Sequence, residues 1–350
     1  MSQQPFYFDP IDSLDAAARS LPRPGAFVAK DARAARAWQR RIRPKVAKLV
    51  GFTDQKKTAP RPTVLESVDR GSYVRRKVVI RTGQRSHMPM YVLIPKNLSG
   101  PAPAVLALHG HGYGARDIVG LWEDGTERRQ PEGYQKDFGC ELARRGFVVA
   151  APEISCFGER QHDYEHLEGV ARPTTCMTAS AYAMALGGSM IGWRVWEGMR
   201  AVDYLVSLKE VDGDRLGAMG ISSGGLHTVF STALDERIRA CAICGFLCDY
   251  RDCVVDIYHC PCAYLPGLLQ LGETSDICCL IAPRPCFVES PTRDENFPYP
   301  GMKKAANRAR RAWKVLGAED RFEAQFFDGR HRIDGTRVYD FLVRHLEARR

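Results

Sequence analysis

The stretch from Asp214 to Leu234, DRLGAMGISSGGLHTVFSTAL, determines the predicted fold of this 350-residue chain. DRLGAMG has the apolar character of a buried strand, and GGLHTVFSTAL is predicted to be a helix. Between them lies Gly220-Ile221-Ser222-Ser223-Gly224, which has the form G-x-S-x-G. Between a strand and a helix, this motif is typical of a nucleophilic serine held on a sharp, strained turn.

The register of the motif favours Ser222 over Ser223 as the nucleophile. The residues two places before and after a serine on such a turn must lack side chains. Gly220 and Gly224 meet this requirement for Ser222, whereas Ser223 would need a glycine at position 221. The N-terminus of the following helix also favours negative charge that develops beside the serine.

Strands and helices alternate on both sides of this motif. The predicted strands are 73–82 and 88–95, which form a hairpin, and 102–110, 147–153, 214–220, 239–246, 284–290 and 322–329. The predicted helices are 133–146, 191–208, 224–234, 303–317 and 338–350. This alternation predicts an α/β fold with a mostly parallel central sheet that is covered by helices on both faces.

Two segments lie outside the alternation. Residues 1–65 predict a helical N-terminal extension, broken at Pro44, that packs on a catalytic domain of residues 66–350. Residues 155–191 predict an insertion that leaves the carboxyl end of a strand, where open α/β sheets bind their ligands. We therefore expect this insertion to form a lid or pocket wall. The side chains expected to contribute are Phe157, Tyr164, Met177, Tyr182, Met184 and Leu186.

A nucleophilic serine needs a base, and the base needs an acid that orients it. In this architecture the expected chain order is the serine, then an aspartate or glutamate, then the histidine. His331 directly follows the predicted strand 322–329, in a loop at its carboxyl end, and is the predicted base. His227 lies one helical turn beyond the motif, too close to reach back over the serine oxygen. His345 lies within the last predicted helix, and His259, in a loop rich in cysteine and proline, is a weaker candidate.

The acid that orients the base is predicted to be Asp294. It lies in the loop PTRDENFP, directly after the predicted strand 284–290. Glu289 still belongs to that strand, and Glu295 is expected to point elsewhere. Asp328 is too close to His331 in the sequence for a good approach.

The third requirement is an oxyanion hole, formed by two N–H donors where negative charge develops. One donor is expected to be the backbone N–H of Ser223, directly after the nucleophile. The other is expected from the loop His109-Gly110-His111-Gly112, with His111 as first choice and its glycine neighbours as alternatives. A rival hypothesis makes His109 and His111 zinc ligands, but two histidines alone do not close a zinc site. We therefore predict no metal.

Twelve cysteines are many for a chain of this length. The densest group comprises Cys241, Cys244, Cys248, Cys253, Cys260 and Cys262. Cys241 and Cys244 have the spacing of half a zinc site, but no second pair follows at finger-like spacing. We therefore interpret these residues as buried structural thiols rather than as a metal or redox site. The sequence shows no secretory signal, and we expect a cytoplasmic location with reduced thiols.

The net charge of +9 is concentrated in two basic segments, within residues 33–48 and 303–311. They are interpreted as solvated outer faces of helices. The sequence lacks the interleaved aromatic and basic residues that are typical of nucleic-acid binding, so we expect no nucleic-acid partner. It also lacks an apolar stretch of 20 residues, so we expect no membrane partner. A homo-oligomer is compatible with the sequence, which leaves the oligomeric state open.

The motifs LALHGHG, GISSGG, APRPCFVESPTRDENFP and FFDGRHRIDG together resemble the α/β-hydrolase superfamily. Within it they are most similar to the dienelactone-hydrolase-like and acetyl-xylan-esterase-like branch, over roughly residues 66–350. The resemblance implies Ser222, Asp294 and His331 as a catalytic triad and no metal or organic cofactor. Dienelactone hydrolases themselves use a cysteine nucleophile, so the serine favours the esterases.

The expected function is therefore a serine carboxylic-ester hydrolase that forms an acyl-enzyme. Its expected substrate is a small-molecule or carbohydrate ester with a small, acetyl-like acyl group. A thioesterase or an oligopeptidase of the same fold remains an alternative, because a fold does not fix its substrate. A catalytically silent binding protein on this scaffold is a further alternative.

Overall fold

One sheet of nine strands organises the chain, for which a computed structural model describes Phe8 and residues 10–162, 174–255 and 257–346. The strands are β1 (Thr63–Asp69), β2 (Tyr73–Gly83), β3 (Ser86–Pro95), β4 (Ala102–Leu108), β5 (Val148–Pro152), β6 (Val211–Ile221), β7 (Ile238–Cys244), β8 (Cys286–Pro291) and β9 (Phe322–Phe327). Their order in the sheet is β1-β2-β3-β5-β4-β6-β7-β8-β9. The pairs β1–β2, β2–β3 and β3–β5 are antiparallel, and the remaining neighbours are parallel.

Helices cover both faces of this sheet, as the sequence predicts. The α-helices are α1 (Pro10–Ser20), α2 (Ala32–Val50), α3 (Phe138–Arg144), α4 (Cys176–Ala185), α5 (Met190–Leu205), α6 (Ser223–Leu234), α7 (Leu268–Leu271), α8 (Thr274–Cys279), α9 (Tyr299–Val315) and α10 (Val338–Leu346). Successive residues of a strand point to opposite faces, so β4 contributes Leu106 to one apolar core and Val105 and Ala107 to the other. Among the helices described, none is both long and apolar enough to cross a membrane.

Pro44 does not break the N-terminal helix, so this detail of the sequence prediction is wrong. α2 continues through Pro44 to Val50. A proline removes one hydrogen bond inside a helix. The buried side chains of Trp38, Ile42 and Val46 pack on both sides of Pro44, and tertiary packing supplies most of the stability of a helix in a protein.

The edge strand β1 was not predicted, and neither were the short helices α7 and α8. Most residues of β1 are exposed on both faces, so the strand lacks the alternation of apolar and polar residues that identifies a half-buried strand. α3 is also shorter than the predicted helix 133–146. These differences lie away from the turn that carries Ser222.

The parallel strands bring the predicted site residues to one edge of the sheet. β6 ends at Ile221, β8 at Pro291 and β9 at Phe327. Because the three strands run in the same direction, the loops that follow them leave from the same edge.

Candidate active site

Ser222 occupies the turn between β6 and α6 in a strained backbone conformation, with φ 59° and ψ −123°. A positive φ is uncommon for a residue other than glycine, and such strain costs on the order of 1–3 kcal/mol. The Ser222 N–H donates to the Cys244 carbonyl at 3.0 Å, and its carbonyl accepts from the Leu226 N–H at 3.0 Å. These bonds to the end of β7 and to α6 hold the strained residue in place.

The two glycines of the motif leave no space for a side chain. A Cβ atom on Gly224 would lie 2.7 Å from the carbonyl carbon of Leu108 and 2.8 Å from the carbonyl oxygen of His109. A Cβ atom on Gly220 would lie 2.7 Å from the Leu108 carbonyl oxygen. The steric requirement that selects Ser222 by register is therefore met.

Asp294 and His331 form a close pair at the same edge of the sheet. The Nδ1 atom of His331 lies 2.7 Å from Oδ2 of Asp294, whose side chain is fully buried. The other carboxylate oxygen accepts the N–H groups of Asn296 at 2.9 Å and Phe297 at 3.1 Å, which fixes its orientation. The Nε2 atom of His331 is buried and has no hydrogen-bond partner among the described residues.

Ser222 and His331 line one cavity of about 400 Å³. Its described walls combine aromatic, apolar and uncharged polar side chains with histidines. The other lining residues are His111, Tyr134, Ser223, Leu226, Phe246, Tyr258, His259, Cys260, Ala263, Asn296 and Phe297. No lysine, arginine or carboxylate belongs to this described lining.

The loop after β4 lies beside Ser222 and is fixed by two side chains that the sequence analysis missed. Gln135 accepts the Gly110 N–H at 2.7 Å, so that N–H is not available to a substrate. The Tyr134 hydroxyl donates to the His111 carbonyl at 2.5 Å. The His111 N–H donates to no acceptor among the residues described. Of the predicted donors in this loop, the geometry therefore favours His111 over Gly110.

The Ser223 N–H is the first of α6, and the first N–H groups of a helix have no partner within it. It therefore lies directly after Ser222 and is available to bind an oxyanion. Both predicted oxyanion donors belong to residues that line the cavity.

His109 supports the loop after β4 through its side chain. Its Nε2 accepts the Ile154 N–H at 3.0 Å, so its proton resides on Nδ1, which lies 2.7 Å from the Gly110 carbonyl. Glu153 lies 3.5 Å from Nε2, but this contact is not an ion pair, because that nitrogen is an acceptor in the neutral ring.

Neither His227 nor His259 has the geometry of the base. His227 lies in α6 next to Arg194, and burial, reinforced by this guanidinium, holds its pKa well below the usual value. His259 does line the cavity, but it stacks on Phe297 at 5.0 Å, and burial lowers its pKa. Among described contacts, the histidine that pairs with Asp294 is His331.

Glu289 lies within β8, as expected, and supports the loop that carries His331. Its two carboxylate oxygens accept the N–H groups of Asp334 at 2.9 Å and Gly335 at 3.1 Å. Burial raises the pKa of Glu289 to about 7. Nothing in the sequence around Glu289 indicates this role, since it depends on a contact across 45 residues.

The predicted insertion lies only partly within the described residues, and Tyr164 is outside them. Tyr182 and Leu186 line a second cavity of about 350 Å³, with Phe52 and Trp193. None of the side chains expected from the described part of the insertion lines the cavity of Ser222. Phe157 instead packs edge-on against the ring of His111, with 4.9 Å between the ring centroids.

All twelve cysteines belong to the described residues, and each is a free thiol. Eleven are buried, in agreement with the interpretation as structural thiols, and Cys260 is half-buried. Three of them, Cys176, Cys260 and Cys262, form a cluster with His111 in which the potential ligand atoms lie within 4.8 Å of one another. The sequence analysis missed this cluster, because its members come from three segments that are separated by 65 and by 84 residues.

The mostly parallel sheet, the strained serine after β6 and the Asp–His pair on the loops after β8 and β9 define an α/β-hydrolase. The model of the Abhydrolase family matches residues 23–338. The chain therefore belongs to the Abhydrolase family and is a hydrolase. The matched residues include α2 of the N-terminal segment.

Comparisons with individual proteins are consistent with this family. "Putative hydrolase YtaP" of Bacillus subtilis (strain 168) is 31% identical over 241 residues, which are 66% of this chain and 74% of YtaP. A crystal structure of "a putative acetyl xylan esterase (BF1801)" from Bacteroides fragilis NCTC 9343 superposes with a TM-score of 0.78, at 19% identity, over 93% of this chain and 84% of that one. A glucuronoyl esterase from Solibacter usitatus superposes with a TM-score of 0.65, at 17% identity, over 97% and 98%. These structural likenesses show the shared fold.

Proposed function

We propose that this chain is a serine carboxylic-ester hydrolase that acts through an acyl-enzyme. One observation carries the proposal. The strained Ser222 lines the same cavity as His331. Asp294 holds Nδ1 of His331, and Nε2 of His331 has no hydrogen-bond partner among the described residues. A serine, a histidine with a free nitrogen and a buried carboxylate in this arrangement suit nucleophilic catalysis.

In the proposed mechanism, Nε2 of His331 takes the Ser222 proton while the serine oxygen attacks the ester carbonyl. Asp294 keeps the imidazole in the required tautomer and stabilises its cation. The N–H groups of His111 and Ser223 bind the oxyanion of the tetrahedral intermediate. His331 then protonates the departing alcohol, and a water molecule, deprotonated by His331, hydrolyses the acyl-enzyme.

The lining of the cavity supports a small, uncharged acyl group. A volume of about 400 Å³ is near the lower end of the range for ligand pockets, about 300–1,000 Å³. The described lining carries no fixed charge, so a charged acyl group would lose its hydration without an ion-pair partner. Structural relatives named as acetyl xylan, glucuronoyl and methyl esterases also favour an ester, and they support a carbohydrate as its alcohol or acid component.

The proposed location is the cytoplasm. All twelve cysteines are free thiols, and the reducing environment of the cytoplasm keeps thiols in that state. A thioesterase and an oligopeptidase are alternatives that share the catalytic chemistry. Comparing kcat/KM for p-nitrophenyl acetate, for an acyl thioester and for a short peptide separates these three activities. A silent binding protein would turn over none of them.

The proposal is tested by Ser222→Ala together with covalent labelling by a fluorophosphonate, which requires an activated serine. We expect labelling and ester turnover to be lost in Ser222→Ala while its circular dichroism stays that of the wild type. Ser231→Ala is the matched control, because Ser231 is a buried serine in α6 outside the cavity lining, and it should retain both. Wild-type turnover by folded Ser222→Ala would refute the proposed nucleophile.

A further inference from the structure

Four side chains from separate segments converge beside the cavity. They are His111 after β4, Cys176 at the start of α4, and Cys260 and Cys262 in the loop between β7 and α7. We call these four residues the thiol cluster. Its ligand atoms, one imidazole nitrogen and three sulfurs, all lie within 4.8 Å of one another. Cys176 and Cys262 are buried and the other two are half-buried, so the cluster is largely shielded from water.

The spacing of the thiol cluster is close to that of a tetrahedral metal site. Zinc binds sulfur at about 2.3 Å and imidazole nitrogen at about 2.0–2.1 Å. In a tetrahedron these lengths place two sulfurs about 3.8 Å apart, and a sulfur and a nitrogen about 3.6 Å apart. Nε2 of His111 lies 3.8 Å from Sγ of Cys262. The other pairs lie within 4.8 Å, so a contraction of about 1 Å or less in each pair would allow all four atoms to bind one ion.

A buried arginine provides a second, independent observation. Arg194 is 3% exposed, and its Nη2 donates to Sγ of Cys176 at 3.2 Å and to the Ser155 carbonyl at 2.8 Å. Its Nε has no partner, and no carboxylate pairs with it among the described residues. A buried charge without a counter-charge is strongly unfavourable. A Zn²⁺ ion with three thiolates and a neutral imidazole has a net charge of −1, which would balance this guanidinium.

An aromatic ring packs against one side of the thiol cluster. The ring of Phe157 lies edge-on to His111, and the guanidinium of Arg194 lies 5.4 Å from the centre of that ring. The charge that the arginine presents to the sulfurs is therefore little screened by water. Hydrogen bonds and apolar groups of this kind orient metal ligands and tune their affinity.

We propose that the thiol cluster binds one Zn²⁺ ion in a closed, structural site. Three thiolates and one imidazole form a ligand set of structural zinc, and thiolates select zinc over magnesium or calcium. The four protein ligands leave no open position for water, so the ion does not serve as a catalytic Lewis acid. The proposal replaces the expectation of no metal, which considered His109 and His111 without Cys176, Cys260 and Cys262.

The zinc ion would fix the loop that carries the proposed oxyanion donor. It ties the His111 side chain to α4 and to the cavity wall at Cys260, while the His111 N–H stays available for substrate. This effect on catalysis rests on the proposed function, whereas metal binding does not. Its test therefore measures metal directly.

The experiment determines zinc by mass spectrometry in the full chain, purified without chelator and without an affinity tag. We expect about one zinc per chain in the wild type and in Ser222→Ala, and almost none in Cys176→Ser and Cys262→Ser. Cys253→Ser is the matched control, because Cys253 is a buried thiol outside the cluster that donates to the Asp249 carbonyl, as a serine hydroxyl can. It should keep its zinc. Arg194→Met should bind zinc about 10–100-fold more weakly in competition with a chelator.

Two further measurements keep the test decisive if a cluster variant fails to fold. Wild-type protein loaded with Co²⁺ should show thiolate-to-cobalt charge-transfer absorption, and the denatured, chelated chain should contain twelve titratable thiols without reductant. Ten thiols, with the missing pair mapped by mass spectrometry to two of the three cluster cysteines, would indicate a disulfide in place of the metal and overturn the proposal. Wild-type protein that holds neither zinc as purified nor added zinc or cobalt would also overturn it. An active Ser222→Ala with intact zinc would refute the proposed function alone.

Discussion

The strain at Ser222 predicts that two inactive variants differ in stability. Ser222→Ala and Ser222→Gly both remove the serine oxygen, and both should be catalytically inactive under the proposed mechanism. Only glycine also relieves the backbone, because it adopts φ 59°, ψ −123° without the clash that a Cβ atom makes there. We therefore expect Ser222→Gly to be the more stable of the two.

The magnitude follows from two opposing terms. Backbone strain of this kind costs on the order of 1–3 kcal/mol, and glycine releases it. Glycine also increases the conformational entropy of the unfolded chain, which costs about 0.4–1 kcal/mol relative to alanine. The net expectation is that Ser222→Gly exceeds Ser222→Ala in free energy of unfolding by about 1 kcal/mol.

The assay is urea unfolding of both variants, followed by circular dichroism. The matched control is Ala37→Gly on the exposed side of α2, where the backbone is helical and glycine should cost about 1 kcal/mol. Opposite signs at the two positions are the expected result. If Ser222→Gly is less stable than Ser222→Ala by the amount seen at position 37, the turn is not strained and the argument from φ is refuted.

Three further predictions follow from the contacts around the site. Gly224→Ala should lower the free energy of unfolding by about 3 kcal/mol or more and abolish fluorophosphonate labelling, because its Cβ would meet rigid backbone. The matched control is Gly213→Ala in β6, whose Cβ meets only Val206 at ordinary contact distance, so this variant should be nearly neutral. Folding raises the pKa of Glu289 from 4.5 to about 7, so the folded state binds the carboxyl proton more tightly than the unfolded state. This difference contributes about 3 kcal/mol to the free energy of unfolding below pH 4.5, and the contribution is lost as the pH rises through 7. Glu289→Gln should flatten that decline in urea-unfolding curves between pH 5 and 8, and an unchanged slope would contradict it. Leu226→Ala should shift kcat/KM towards longer acyl esters by about 10-fold, while Met177→Ala, outside the cavity lining, should leave the chain-length preference unchanged.

Those site features that depend on local signals could be predicted from the sequence. The G-x-S-x-G register selects Ser222, because the two glycines are needed within five residues of chain. Asp294 and His331 could be chosen because each follows a recognisable apolar strand, and parallel strands end at one edge of a sheet. Their 2.7 Å contact follows from that topology rather than from their separation of 37 residues.

Features that depend on non-local packing could not be predicted. The continuity of α2 through Pro44 depends on buried contacts on both sides of it, which outweigh one lost hydrogen bond. The exposed strand β1 has no apolar periodicity and is held by pairing with β2. The thiol cluster joins ligands separated by 65 and by 84 residues, so no ligand spacing of a zinc motif appears in the sequence.

The described contacts concentrate on the loop after β4 rather than on the serine itself. An oxyanion donor is effective only if it is held in place before negative charge develops, because reorganisation during the reaction would consume the stabilisation. Gln135 holds the Gly110 N–H, Tyr134 holds the His111 carbonyl, and His109 joins the loop to Ile154. Each of these contacts constrains backbone next to the His111 N–H without occupying that N–H. A zinc ion on the His111 side chain would add a fourth constraint of the same kind. Loss of the zinc ion should therefore lower kcat and change KM by a smaller factor.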